Sequence, residues 1–274
     1  MTLRDDITRL IDADQLQEAI AHARDHVKKN ASEKEGRYLY IDLLILAGEL
    51  EKADAQCNVA STFSPQDAVG FSLFRQHLRA MAARIARFEK GAVPDFTHGP
   101  SELDQLAIKA NIAAREGQLE AARKALTELD EKRAEIPLTV NEGKGGYIRD
   151  LDDRVPHALE VLTNGGKYLW IDYDRIESLA IETMSRPRDL AYRQAELTLR
   201  DGAIASVLLP ALYHANDTST SLLLARETVW DEDAALVTGS GQRCLTVGDD
   251  LVPFHEISSM SAPARNQEGQ SALG

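Results

Sequence analysis

Gly48-Glu-Leu-Glu-Lys-Ala53 recurs upstream as Asp14-Gln-Leu-Gln-Glu-Ala19 and downstream as Gly117-Gln-Leu-Glu-Ala-Ala122. Leu16 and Leu50 stand 34 residues apart, and Leu50 and Leu119 stand 69 apart, two such periods plus one. A period near 34 marks stacked helix-turn-helix units, each unable to bury its apolar face without a neighbour. The first half of the chain therefore reads as a tetratricopeptide-like (TPR-like) array, an architecture suited to binding. Its small residues at the recurring alanines predict close helix approach and one concave face that fits a helix or an extended peptide.

The flanking residues support this reading. Ser32-Glu-Lys-Glu35 has the pattern of a capping box and predicts a helix with Tyr38, Ile41, Leu44 and Ile45 on one face. Gly48 ends that helix, and the next carries Leu50, Ala53, Cys57 and Ala60, with Pro65 closing the unit. Leu16, Ile20, Ala23 and Val27 form a similar stripe, as do Leu119, Ala122, Leu126 and Leu129. Pro100-Ser101 with Asp104 predicts another helix start. Between Pro65 and Pro94 one amphipathic helix remains but the Gly-x-Leu turn is lost, so this unit reads as degenerate. On that helix Arg75, Arg79, Arg84 and Arg87 lie opposite Phe74, Leu78, Met81, Ile85 and Phe88, and read as a solvated face. His22 and His26, spaced i, i+4, read as a surface pair because no carboxylate-histidine motif accompanies them.

Composition narrows the function. The 274 residues carry 44 acidic against 31 basic side chains, a net charge of −13, which disfavours nucleic acid and anionic lipid as partners. The N-terminus lacks the apolar segment of a secretory signal, and no apolar run approaches the roughly 20 residues of a membrane span, so a cytoplasmic protein is expected. Cys57 and Cys244 are too few and too far apart for a disulfide framework or a thiolate metal site.

After Ile136-Pro137 the helical period stops. Strand character appears at residues 167–173, 190–199, 203–209, 242–247 and 251–257, with turn signals at Asp201-Gly202 and Gly248-Asp249-Asp250. Asn141-Glu-Gly-Lys-Gly-Gly146 reads as a linker or tight loop, and residues 155–162 and 174–181 as short helices. The expected fold is thus an N-terminal αα-superhelix of helical hairpins (residues 1–140), a small, mostly antiparallel, barrel-like α+β domain (141–258) and a flexible tail (259–274).

Catalytic patterns are scarce. Asp150, Asp152, Asp153 and His157 are dense enough to suggest a metal-dependent hydrolase, although charged turn residues account for them more simply. Asp172 and Asp174 could pair as carboxylates, but Arg175 beside them suggests an ion pair. No nucleophile elbow, phosphate loop, dinucleotide fingerprint or zinc-type His-Glu motif is present. No cofactor, metal or small-molecule substrate is expected. Trp170 and Trp230, with Arg175 and Arg226 near them, read either as core packing or as interface anchors.

The ordered segments Gly48-Glu-Leu-Glu-Lys-Ala-Asp54, Asp150-Leu-Asp-Asp-Arg154, Tyr168-Leu-Trp-Ile-Asp-Tyr-Asp-Arg-Ile176, Arg186-Pro-Arg-Asp-Leu190, Leu208-Leu-Pro-Ala-Leu-Tyr213, Leu223-Leu-Leu-Ala-Arg-Glu-Thr-Val-Trp230 and Gly241-Gln-Arg243 together resemble the ImpE family, also called TagJ. The resemblance implies a non-enzymatic, cytoplasmic accessory protein of bacterial type VI secretion systems that binds the small subunit of the contractile sheath. Two placements of the partner site are open: the concave helical face, and the second domain around Trp170, Arg175, Arg226 and Trp230. The rivals are the hydrolase above and a scaffold of another complex.

Overall fold

The computed structural model describes residues 2–63, 68–133, 137–143, 145–232 and 235–263. Seven helices come first: α1 Leu3–Asp12, α2 Leu16–Lys29, α3 Lys34–Leu46, α4 Leu50–Phe63, α5 Ala68–Lys90, α6 Glu102–Arg115 and α7 Leu119–Lys132. The repeated motif makes the turns of three hairpins, α1/α2, α3/α4 and α6/α7. Asp14, Gly48 and Gly117 adopt the left-handed backbone, with φ of 57°, 74° and 73°. The following N–H groups, of Gln15, Glu49 and Gln118, donate to the carbonyls of Leu10, Leu44 and Ala113, at 2.8 Å in all three turns. This closure satisfies carbonyls that a helix end leaves unpaired. The motif's alanine is its constant buried position: Ala19, Ala53 and Ala122 are sealed, whereas Leu16 is buried, Leu50 half-buried and Leu119 47% exposed.

Helices α1 to α5 pack in sequence, each on the next. The degenerate unit is a single 23-residue helix, α5, and Pro65 lies outside the described residues. α6 starts on a capping box, with the Asp104 N–H donating to Ser101 Oγ at 3.0 Å and the Ser101 N–H to Asp104 Oδ2 at 2.8 Å. The capping box expected at Ser32–Glu35 is corrected: α3 follows Glu33 with no side-chain cap, and the Glu33 carboxylate bonds His26 instead.

The strands are β1 Pro137–Val140, β2 Gly145–Asp150, β3 Ala158–Thr163, β4 Tyr168–Asp172, β5 Ile176–Ile181, β6 Tyr192–Leu199, β7 Ile204–Pro210, β8 Thr228–Asp231, β9 Thr238–Gly241, β10 Cys244–Val247, β11 Asp250–Pro253 and β12 Ser259–Ser261, with a short helix α8 at Thr220–Leu223. Ten of them form one sheet in the order β11-β10-β2-β1-β12-β5-β6-β7-β3-β4, with antiparallel neighbours throughout; β8 and β9 form a separate hairpin. The expected hairpins at Asp201-Gly202 and Gly248-Asp249 join β6 to β7 and β10 to β11. The chain is therefore α+β, helices first and an open antiparallel sheet after.

Several local expectations are corrected. Residues 155–162 are not a helix but lead into β3, which is buried on both faces and so lacks the polar alternation that betrays a strand. Residues 174–181 are a short 3-10 turn, Tyr173–Arg175, followed by β5. Of the expected Asn141–Gly146 loop, Asn141 to Gly143 turn out of β1, with Asn141 at φ 54°, whereas Gly145 and Gly146 belong to β2; Lys144 lies outside the described residues. Residues 259–261, expected in a tail, form β12, inserted between β1 and β5; residues 264–274 lie outside the described residues.

Strand alternation divides β3 and β4 between two cores. Leu159, Val161 and Ile171 face a core made within the sheet, with Leu138, Leu179, Leu197, Leu209 and Leu245. Ala158, Leu162, Tyr168 and Trp170 join the helices in a core that also holds Leu16, Leu44 and Met81. The helix-facing side of β3 and β4 lies against α5, and this overturns the solvated arginine face. Arg75 is exposed, pairing with Asp54 at 2.7 Å, and Arg79 is exposed, but Arg84 and Arg87 are buried under the sheet.

Candidate functional site

The register of β3 and β4 places Glu160 opposite Trp170 on the face that meets α5. A carboxylate buried there requires partners. Arg84 supplies its Nε at 2.9 Å and Nη2 at 2.8 Å, the Tyr168 hydroxyl donates at 2.8 Å, and the Trp170 indole N–H donates to that hydroxyl at 2.7 Å. Arg243 Nη1 stands 3.5 Å away. Burial alone would raise the Glu160 carboxyl, but Arg84 and Arg243, with the hydrogen bonds from Arg84 and Tyr168, hold it down at about 2.

A second carboxylate continues the network. Asp150 at the end of β2 bonds Arg243 Nε, accepts the Asp152 N–H at 2.9 Å, and lies 2.9 Å from the Tyr213 hydroxyl. Asp152 accepts the backbone N–H and Nε of Arg154, at 2.9 and 2.8 Å, and the Gly239 N–H at 3.0 Å. Asp153 accepts Arg149 Nη2 at 2.7 Å and the Val237 N–H at 2.8 Å. These carboxylates are thus occupied by arginine and backbone donors within the fold. Asp152 and Asp153 lie in a turn, as expected, but they are buried there and fasten the 151–156 loop to the β9 segment. His157 turns away from them, towards Asp104 at 3.0 Å and Asp172 at 3.7 Å. The set needed for the hydrolase is not assembled. Arg175, expected to pair with Asp172 or Asp174, instead bonds Thr97 Oγ1 at 2.7 Å and lies 3.7 Å from Asp201.

The same seam covers the inner faces of the helices. Asp42 of α3 is fully buried beneath Arg186, which donates to it twice, at 2.7 and 2.9 Å, and Arg188 lies over the Phe74 ring at 4.5 Å. Open relief remains elsewhere. One groove of about 490 Å³ runs between the α3–α4 turn and α5, lined by Gly48, Leu50, Ala82, Ile85 and Glu89; an adjoining hollow of about 220 Å³ continues it past Tyr192, Leu212, His214 and Leu223.

Residues 144–261 match the family described as ImpE protein. The chain is 27% identical over 226 residues to the type VI secretion system accessory component TagJ of Pseudomonas aeruginosa, covering 81% of this chain and 79% of that protein. The second half of this chain is thus similar to the ImpE family. A crystal structure of a Vibrio parahaemolyticus protein, 22% identical, shares the fold with a TM-score of 0.85, covering 95% of this chain and 98% of that one.

In this chain the four residues considered for partner contact are scattered. Trp170 is only 2% exposed, with Arg87 stacked on its ring at 5.0 Å and His157 and Phe96 edge-on. Arg226 is exposed and crosses to the helices, donating to Asp14 Oδ1 at 2.9 Å and to the Ile11 carbonyl at 3.0 Å. Trp230 is half-buried on β8, beside the exposed Val229, with its ring against Tyr213. The residues missed by sequence reading are the network itself, Arg84, Glu160, Arg243 and Tyr213. The one available signal was a glutamate inside an otherwise apolar run, Ala158-Leu-Glu-Val-Leu162. Among the described residues no helix is long and apolar enough to cross a membrane.

Proposed function

We propose that this protein is a non-enzymatic, cytoplasmic accessory component of a type VI secretion system that holds a helix or short segment of the contractile sheath small subunit. The observation that carries this reading is its likeness to TagJ along 81% of its length. The absence of enzymatic activity is supported by Asp150, Asp152 and Asp153, the carboxylates of the hydrolase reading, being bonded to arginines and backbone N–H groups. The helical hairpins are read as TPR-like units of an αα-superhelix in a domain of residues 1–140, followed by a second domain of residues 141–258; the shared turn geometry supports the first part of this and the switch from helix to strand after Lys132 the second.

With the inner faces of α3 and α5 covered, the docking surface is proposed along the open groove between the α3–α4 turn and α5, where Ile85, Ala82 and Leu50 offer an apolar floor. Of the four residues named from the sequence, Trp230 and Arg226 are proposed as reachable by a partner at the far side of Tyr213, and Trp170 and Arg175 as supports of that surface. The test is a titration of the full chain with a fluorescent peptide from the N-terminal segment of the sheath small subunit. A Kd of about 1–10 μM, weakened at least about tenfold by Ile85→Glu, is expected. No saturation by roughly 100 μM peptide would reject the reading.

A further inference from the structure

The structure regroups residues that the sequence had placed in separate clusters. Asp104 lies in the first turn of α6, His157 just before β3, and Asp172 at the end of β4; all three are buried. Their ligand atoms lie within 4.8 Å of one another, with His157 Nε2 at 3.0 Å from Asp104 Oδ1 and 3.7 Å from Asp172 Oδ1. We propose that Asp104, His157 and Asp172 bind a first-row divalent cation of the zinc type, which pins α6 to the β3–β4 edge of the sheet.

Geometry favours it first. A cation bound at about 2.1 Å by nitrogen and oxygen ligands separates them by roughly 3.0–3.4 Å in octahedral or tetrahedral arrangements. The two imidazole-to-carboxylate distances bracket that range. An imidazole with two carboxylates also suits zinc, cobalt or manganese better than calcium or magnesium, which prefer oxygen donors only.

Orientation comes from interactions already made by the fold. The capping box commits Asp104 Oδ2 to the Ser101 N–H and leaves Oδ1 facing the imidazole. The Trp170 ring, edge-on to His157 at 5.7 Å, fixes the plane of the imidazole. Two ligands are therefore held by contacts independent of a metal, and α6 also presents its positive end to the carboxylates.

Charge supplies the second line of evidence. The groups acting most strongly on Asp172 are Asp104, His157, Ser101 and Asp174, and none of them is a lysine or arginine. With a neutral imidazole, two buried carboxylates come together, and among the described residues no lysine or arginine forms an ion pair with either. An imidazolium would offset only one of them and would also need an acceptor at Nδ1, where the buried atom has no hydrogen-bond partner. A divalent cation on Nε2 neutralises both carboxylates and leaves the ring uncharged. Water or the Ser101 hydroxyl would complete the coordination shell.

The test uses the full chain, freed of metal by a chelator, titrated with Zn²⁺ by calorimetry and with Co²⁺ by visible absorption. One ion per chain, a raised Tm and cobalt ligand-field bands are expected. Asp172→Asn and His157→Gln should each weaken binding by at least about a hundredfold, whereas His26→Gln on the surface should leave it unchanged. Loss of binding in His26→Gln alone would move the ion to the surface histidines and overturn the proposal. Absence of any bound ion at roughly 100 μM Zn²⁺ would overturn it in favour of a plain ion triad. Should the substituted chains not fold, the imidazole NMR signals of the wild type decide: His157 must respond to Zn²⁺ at one equivalent.

Discussion

The helical half and the sheet half bury different things. Along α1 to α4 the sealed positions are mostly apolar and recur at helical spacing, and the one deeply buried carboxylate, Asp42, is met from outside by Arg186. The sheet half places Asp150, Asp152, Asp153 and Glu160 in its interior and answers them with Arg84, Arg149, Arg154 and Arg243. Arg149–Asp153 and Arg154–Asp152 are local pairs, but the two that tie the network together are far apart in sequence, 76 residues for Arg84 and Glu160 and 93 for Arg243 and Asp150. Helices thus gain stability from neighbours, while the position of the sheet against α5 depends on charge pairs that close only when the whole chain is folded. The sharpest way to break this contrast is Glu160→Gln. It leaves Arg84 and Arg243 buried with too little counter-charge, and a loss of about 3–5 kcal/mol in urea unfolding is expected. A loss below about 1 kcal/mol would mean the network is not what fixes the seam.

Acid offers a milder probe of the same seam. Burial, with Arg84 and Arg154 nearby, lowers the His214 imidazole from 6.5 to about 4. Between those values the unfolded chain binds a proton that the folded chain does not, so stability must fall as pH drops from about 6.5 to 4 and then level off for this group. Glu160 acts in a lower window. Its folded carboxyl titrates at about 2 against an ordinary 4.5, so its contribution is present above 4.5 and is lost as pH falls towards 2. His214→Gln should therefore flatten the stability curve between pH 6.5 and 4, by roughly 1–2 kcal/mol after allowance for partial exposure, and leave the steeper loss below 4.5 in place. If the slope between pH 6.5 and 4 survives the substitution, another group carries it.

The same contrast decides what could be read from the residues alone. The hairpins of the first half were legible because Ala19, Ala53 and Ala122, and the turns before them, report on neighbours within one helical unit. Strands β6, β7, β10 and β11 were legible through their turns. Strand β3 was misread because burial on both faces removes the period of two, and β12 because three residues of a central strand leave almost no pattern. Arg84 and Arg87 looked solvated since nothing in α5 itself announces that β3 and β4 will cover it. The candidate cation ligands fared likewise: His157 was grouped with its sequence neighbours Asp150, Asp152 and Asp153, whereas folding gives it Asp104 and Asp172. Long-range pairing was the missing information in each case.

The smallest effects separate the three turns that share one motif. Gly48 and Gly117 are left-handed, and a Cβ at either would meet no atom within 4 Å, so Gly48→Ala and Gly117→Ala test the backbone penalty alone. Each should cost about 1 kcal/mol. Asp14 already carries that penalty at φ 57°, and relieving it with Asp14→Gly should gain about as much as the extra entropy of an unfolded glycine removes. Its carboxylate also accepts Arg226, however, and is thus the turn residue among the three that is bonded to the sheet half. That ion pair is exposed and is expected to contribute under about 1 kcal/mol. Asp14→Gly should therefore stay within roughly 0.5–1 kcal/mol of the wild type in urea unfolding. A substantially larger loss would make the α1–α2 turn part of the seam rather than of the local repeat, and the division between a locally stabilised half and a long-range one would then begin at residue 14.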